Sequence, residues 1–329
     1  MLNNAISARL IRALDFISYS FLLLQVLLVP LFLDKHLVNF YVLSKEGVFI
    51  ALLLFNIFFL AVKTILLKKV VYRHSVLDWP FLVLLLAALF SAIFSINVRD
   101  SFLGRTDWFG LSFVFIVFSL VFYWVLINQL ANPRQWRWLL EILLFSGGMA
   151  ALLFLLKIFF GFSFPGLAGV WNTVDGANSP FGIWIVFHLF LAGSFVMRKN
   201  LGVGRSLFYF FLVLLHFTVL LVLGFTVLWW FLLIGLILIL LLGMISLNEI
   251  RLGWLSFLFV LLILTVVFIV FGSPRFAQGA LPAEISLSAK ASWDVANNTM
   301  FSGVKNFLLG SGLGTFAADF SQFKTVDFN

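Results

Sequence analysis

The sequence predicts an all-α polytopic integral membrane protein, with about nine transmembrane helices and a loop domain on the outer face. Three observations predict it. Of the 329 residues, 63% are hydrophobic and 10% are charged, against roughly 45–50% and about 25% in soluble domains. The apolar residues gather in runs near the ~20 that a helix needs to cross a hydrocarbon core. Lys and Arg fall mostly in short loops between those runs, biased to one side. A soluble fold is excluded, as is disorder ahead of the tail. Cysteine is absent, which excludes a disulfide framework, a thiol nucleophile and cysteine-ligated metals. The 44 phenylalanines suit helices packed in lipid and identify no chemistry.

The nine runs cover roughly 13–33, 47–67, 80–96, 109–130, 138–160, 181–197, 206–222, 226–246 and 253–271. Arg9 and Arg12 precede the first run, as in a signal peptide. Val29-Pro30-Leu31-Phe32-Leu33 offers no small-residue cleavage site, so the helix is retained. The stretch from Ser206 to Leu247 is too long for one span, and Gly224 near its middle splits it into a tight helical hairpin.

With the N-terminus cytoplasmic, the inner side collects Arg9, Arg12, Lys63, Lys68, Lys69, Arg73, Arg134, Arg137, Arg198, Lys199, Arg205 and Arg251. The outer side holds Lys35, Lys45, Arg99, Arg105 and Lys157. Twelve against five sets the N-terminus inside. The net charge of +8 is then a topology signal. Membrane lipids, and no nucleic acid, are the partners it implies.

Nine crossings leave residues after Phe271 outside. The chain divides into a transmembrane helical domain, 1–271, and an outer-face loop, 272–329. The loop begins Gly272-Ser273-Pro274-Arg275 and is polar throughout. Leu281-Pro282-Ala283-Glu284 reads as a turn, with Ser286 or Ser288 as N-cap of a helix. That helix is amphipathic, covers 288–303 and carries Trp293. A glycine-rich turn, 308–316, and a short helix around 317–323 follow. The sequence stops with no closing span, as expected of a fragment.

Arg99 and Arg105 stand in the outer loop 97–110, on the side positive charge usually avoids. Arginine suits phosphate oxygens, so the pair is a candidate diphosphate patch. The alternative is that Arg99 pairs with Asp100 or Asp107 at helix ends. The outer loop 161–180 carries Trp171, Asn172 and Asn178, suited to stacking on a sugar and hydrogen-bonding its hydroxyls. An interfacial loop with an anchoring Trp is an equal alternative. Gly310-Ser311-Gly312-Leu313-Gly314-Thr315 follows no strand and lacks the P-loop lysine. It reads as a packing turn and not as a nucleotide site.

His188 and His216 fall inside two spans, roughly 10 Å below the outer surface by helical rise. They are a proton relay or, more simply, a hydrogen-bonded packing pair. Lys157 snorkels or joins the arginine patch. No span carries a ladder of charges, and no His/Asp/Glu cluster has metal-ligand spacing. No metal or cofactor is expected.

Taken together, the residues resemble the O-antigen ligase and O-antigen polymerase superfamily. The resemblance rests on Ser91-Ala92-Ile93-Phe94-Ser95-Ile96-Asn97 ending the third span, followed by Phe102-Leu103-Gly104-Arg105 and Trp108-Phe109-Gly110. Asn178-Ser179-Pro180 precedes the sixth span. Ser292-Trp293, then Leu309-Gly310-Ser311-Gly312-Leu313-Gly314-Thr315-Phe316, is the most specific part. The resemblance implies a membrane glycosyltransferase at the outer face of the bacterial cytoplasmic membrane. It implies transfer of a glycan from undecaprenyl diphosphate to an acceptor hydroxyl, on a lipid A core sugar or another glycan repeat. Such enzymes work without metal: outward arginines hold the diphosphate and a histidine in the large outer loop is the base.

Arg99 and Arg105 then carry over as candidate diphosphate contacts. Asn172, Asn178 and Trp293 stand beside them as candidate substrate contacts. The chain departs from the family in two places. The hairpin Leu223-Gly224-Phe225-Thr226-Val227-Leu228-Trp229 lacks the usual arginine, and no histidine follows residue 271. The family's base would therefore lie beyond Asn329, and no catalytic residue is assigned. A polytopic transporter or lipid-linked glycan carrier is the second reading, drawn from the spans and the histidine pair. Internal pseudo-symmetry, usual in transporters, is not evident.

Overall fold

The computed structural model describes residues 2–69, 72–105, 109–164, 166–167, 169–199, 201–245, 251–273, 281 and 288–324. Among these, thirteen helices form and no strand does. They are α1 (Leu2–Leu28), α2 (Val42–Leu67), α3 (Asp78–Ile93), α4 (Val98–Leu103), α5 (Phe113–Gln129), α6 (Pro133–Phe160), α7 (Asn178–Val196), α8 (Val203–Leu223), α9 (Thr226–Ile245), α10 (Leu252–Phe271), α11 (Ala289–Phe301), α12 (Val304–Leu309) and α13 (Phe316–Phe323).

Seven of them, α1, α2 and α6–α10, are long and apolar enough to cross a bilayer. The protein is a multi-pass, all-α membrane protein. Bulky side chains such as Phe58, Phe187, Ile245 and Phe271 face outward. Such exposure would be a liability in water and is ordinary against lipid tails. α3 and α5 are shorter, at 16 and 17 residues. At 1.5 Å per residue they extend about 24 and 26 Å, less than the ~30 Å hydrocarbon core.

The chain packs into two compact units. The first comprises Met1–Gln25, Asp34–Trp136 and Ile285–Asn329; the second comprises Val26–Leu33 and Arg137–Glu284. The residues after 285 therefore pack with the first part of the chain, a grouping that composition alone does not reveal.

In the first unit, polar side chains tie three apolar helices together. Asn56 of α2 is fully buried. Its Oδ1 accepts from Ser18 Oγ of α1 at 3.2 Å and from Gln129 Nε2 of α5 at 3.1 Å. Gln129 Nε2 also donates to Ser18 Oγ. Between apolar helices in lipid, such bonds hold what the hydrophobic effect cannot. Lys63 of α2 pairs with Asp15 of α1 at 2.5 Å.

In the second unit, α7 and α8 supply most of the core, including Ile185, Leu189, Val213 and Leu220, with Trp229 of α9 against them. Small residues permit the close approach. A Cβ at Gly182 would strike Leu228, and one at Gly235 would strike the Phe190 ring. The expected break at Gly224 is present, but the two helices it joins do not pack closely along one another as a tight hairpin would; α7 lies against both. Gly224 caps α8 at φ 65° and its N–H donates to Leu220 O at 3.0 Å. This is the left-handed region that glycine adopts without steric cost. Arg251, just before α10, closes the end of α7. Its backbone N–H donates to Met197 O at 3.0 Å, its Nε to Lys199 O at 3.0 Å and its Nη2 to Leu201 O at 2.6 Å.

The expected outer-loop helix runs from Ala289 to Phe301, and Ser288 is its N-cap, accepting from Ala291 N at 3.1 Å. The turn 282–284 and Ser286 lie outside the described residues. α12 forms ahead of the glycine-rich turn, where no helix was expected. α13 occupies 316–323, close to the expected position.

Candidate functional site

A cavity of about 790 Å³ opens in the first unit, walled by α4 with the residues after it, α11, α12, the glycine turn and α13. Local sequence explains each wall. Asn97 caps α4: its Oδ1 accepts from Asp100 N at 3.3 Å and its Nδ2 donates to Asp100 Oδ2 at 2.7 Å. α4 ends at Gly104, and Arg105 follows on the cavity wall.

The glycine turn is clipped to the corner between α3 and α4. Ile96 N–H donates to Ser311 O at 2.8 Å, and Ser101 Oγ to Leu313 O at 2.8 Å. Ser101 Oγ also meets Ser95 Oγ at 2.6 Å. Gly312 lies against these hydroxyls at φ 133°, and a Cβ there would overlap Ser95 and Ser101.

Behind the turn, three polar residues connect at intervals of four. Ser311 Oγ donates to Asp319 Oδ2 at 2.5 Å and lies 2.8 Å from Thr315 Oγ1. Thr315 Oγ1 also contacts Gly312 O at 2.9 Å and Asp319 Oδ2 at 3.4 Å. All three residues are buried. Asp100, Arg105, Thr299, Asn306 and Asp319 give the cavity its polar groups, and Met300, Phe307 and Phe316 its apolar ones. Thr299 Oγ1 is buried with no hydrogen-bond partner, an unusual state for a hydroxyl. The mixture matches a sugar, whose hydroxyls seek polar partners and whose ring faces seek apolar ones.

The two arginines of the sequence reading part company here. Arg105 lines the cavity; Arg99 is exposed on α4 and does not. Asp100 is held by Asn97, and Arg99 forms no ion pair among the described residues. Asp107 and Trp108 lie outside the described residues. Trp293 stands exposed on α11, three residues before the wall residue Ala296 and seven before Met300, on the same helix face as the latter.

Asn172 and Asn178 belong to the second unit. They are brought together, with Asn172 Nδ2 3.4 Å from Asn178 Oδ1, and both are buried. Asn172 Oδ1 accepts from Val174 N at 2.9 Å and Asp175 N at 2.8 Å. Its oxygen therefore shapes the loop as an Asx turn. Asn172→Ala would leave two part-buried N–H groups without their acceptor, a loss of about 1–2 kcal/mol. The variant should melt earlier in detergent with no glycan present. An unchanged melting temperature would return Asn172 to the list of pure ligand contacts.

His188 and His216 stand near-parallel in the second unit, with ring centroids 5.9 Å apart and both side chains fully buried. Their Nδ1 atoms meet the carbonyls four residues earlier, Trp184 O at 2.8 Å and Leu212 O at 2.6 Å. A carbonyl only accepts, so Nδ1 carries a proton in each ring. Lys157 Nζ lies over the Trp171 ring at 5.4 Å from its centroid.

Sequence reasoning missed Asp319, Asn306 and Thr299. The 311/315/319 spacing of Ser, Thr and Asp was visible, but it straddles a turn and a helix start, where no period marks a shared face. No family model, curated protein or solved structure matches the chain.

Proposed function

We propose that the protein transfers a glycan from a polyprenyl diphosphate carrier, of the undecaprenyl type, to an acceptor hydroxyl at the outer face of the bacterial cytoplasmic membrane. In this reading α3 and α5 also cross, giving nine spans with the N-terminus inside. The observation that carries it is the cavity: one arginine beside hydroxyl, amide, carboxylate and apolar groups, in a chain anchored in lipid. About 790 Å³ falls within the usual range of ligand pockets, roughly 300–1,000 Å³.

Charge refines the assignment. Among the described residues, the cavity wall holds one cation, Arg105, and two carboxylates, Asp100 and Asp319. Arg105 serves one edge of a diphosphate, where a fixed cation favours the charge that develops as the leaving group departs. The remaining polar groups suit the glycan. The exposed Trp293 indole extends the same face as a stacking platform.

Because the chain has no cysteine, Arg105→Cys tests both chemistry and sidedness. In proteoliposomes supplied with lipid-linked oligosaccharides extracted from bacterial membranes, transfer by this variant should fall about a hundredfold or more. In cells, a membrane-impermeant maleimide should label it from the outer side. Transfer at the wild-type rate, or labelling only after the membrane is permeabilised, would sink the reading.

A further inference from the structure

Asp319 is the most enclosed carboxylate of the cavity, 6% exposed. Its Oδ2 is committed to Ser311 at 2.5 Å and approached by Thr315 at 3.4 Å. Among the described residues Oδ1 takes no hydrogen bond, and Asp319 forms no ion pair. Two hydroxyls thus fix one oxygen and leave the other available at the wall of a cavity. From α11, Thr299 lines the same cavity, and its Oγ1 is buried and equally without a partner. One group wants a donor; the other accepts or donates. A substrate hydroxyl answers both.

The second carboxylate is placed differently. Asp100 is partly exposed, and Asn97 Nδ2 holds its Oδ2 at 2.7 Å as part of the cap of α4. Asp100 and Arg105 are the other charged groups on the cavity wall among the described residues.

We propose that Asp319 is the general base that takes the proton from the acceptor hydroxyl. The proposal rests on the transfer reaction set out above. The acceptor oxygen forms a bond to the anomeric carbon while the bond from that carbon to the diphosphate oxygen breaks. The electron pair leaves with the diphosphate, and the hydroxyl proton passes to Asp319 Oδ1, which later returns it to water. Ser311 and Thr315 are positioning residues: they hold Oδ2 so that Oδ1 keeps its aim. Thr299 orients the incoming hydroxyl.

The experiment uses the full chain in proteoliposomes, with undecaprenyl diphosphate as the binding probe and extracted lipid-linked oligosaccharides as donors. Asp319→Asn preserves the shape and an oxygen for Ser311. It should bind undecaprenyl diphosphate as the wild type does and transfer glycan about a hundredfold more slowly or worse. The acidic limb of its kcat/KM profile against pH should vanish, whereas Asp100→Asn should retain that limb. Asp319→Gly should regain transfer when formate supplies the missing carboxylate, which also shows that the variant folds. Asp319→Asn with wild-type rate and pH profile would overturn the proposal, as would loss of undecaprenyl diphosphate binding together with transfer. A wild-type chain that neither binds the probe nor transfers glycan would instead overturn the parent reading, and the base with it.

Discussion

Replacing Gly312 with alanine should detach the glycine turn from the corner between α3 and α4 and destroy the cavity. Two costs add. Gly312 sits at φ 133°, a conformation that costs an L-residue about 1–3 kcal/mol. The new Cβ would also overlap Ser95 and Ser101, and forced repacking of that kind costs roughly 1–3 kcal/mol. A loss of about 3 kcal/mol exceeds what the two clipping bonds, Ile96 to Ser311 and Ser101 to Leu313, return at about 1 kcal/mol each. Undocking is therefore the expected outcome. A cysteine placed at Ser311, 7% exposed in the native protein, should change from slow to fast maleimide labelling in the Gly312→Ala background. Gly303→Ala is the control, because it has an extended backbone at φ 173° and nothing within 4 Å of the added carbon. Unchanged labelling at 311 would mean that the turn tolerates the methyl group. Adding Ser95→Gly should restore part of the docking, since it removes the overlap with Ser95 and leaves the contact with Ser101 and the backbone strain.

Gly147→Ala should destabilise the second unit. A Cβ at 147 would run into the His188 ring. That ring cannot retreat: Trp184 lies against it at 3.8 Å between centroids, His216 stands beyond at 5.9 Å, and Nδ1 is tied to Trp184 O. Alanine gains about 1 kcal/mol of helix propensity over glycine. Overpacking costs roughly 1–3 kcal/mol, and losing the Nδ1 bond about 1 more. The net loss is about 2 kcal/mol, read as a lower melting temperature in detergent. In the Gly147→Ala background, His188→Ala should recover stability, because the two positions compete for one space. If the double variant is no better than the sum of the singles, the steric account is wrong.

The membrane class was legible in the residues because it needs only composition and run length. Gly224 as the break between α8 and α9 and Ser288 as a cap were legible for local reasons: each acts on backbone atoms within four residues. The shorter reach of α3 was not. Ser95-Ile96-Asn97 had been counted into that span, whereas Ile96 N–H goes to Ser311 O and Asn97 caps α4. Those partners are either remote in sequence or part of a competing local bond. The cavity was half legible. Arg105 was singled out for its charge in a loop read as outer, and it lines the cavity. Arg99 looked equivalent but projects elsewhere, because a six-residue helix rotates the two positions apart. Asn172 looked like a ligand group, and its oxygen proved to be occupied by its own loop.

The bond from Ser101 to Leu313 joins residues 212 positions apart, and the whole of Arg137–Glu284 is made between them. At ribosomal speeds of about 5–20 residues per second, the corner of α3 and α4 waits roughly 10–40 s for its partner. During that interval Ser95, Ser101 and Arg105 await their lid, open to proteases and chaperones. The cavity thus stays incomplete until the glycine turn and α13 have been made, and its walls cannot act together before then.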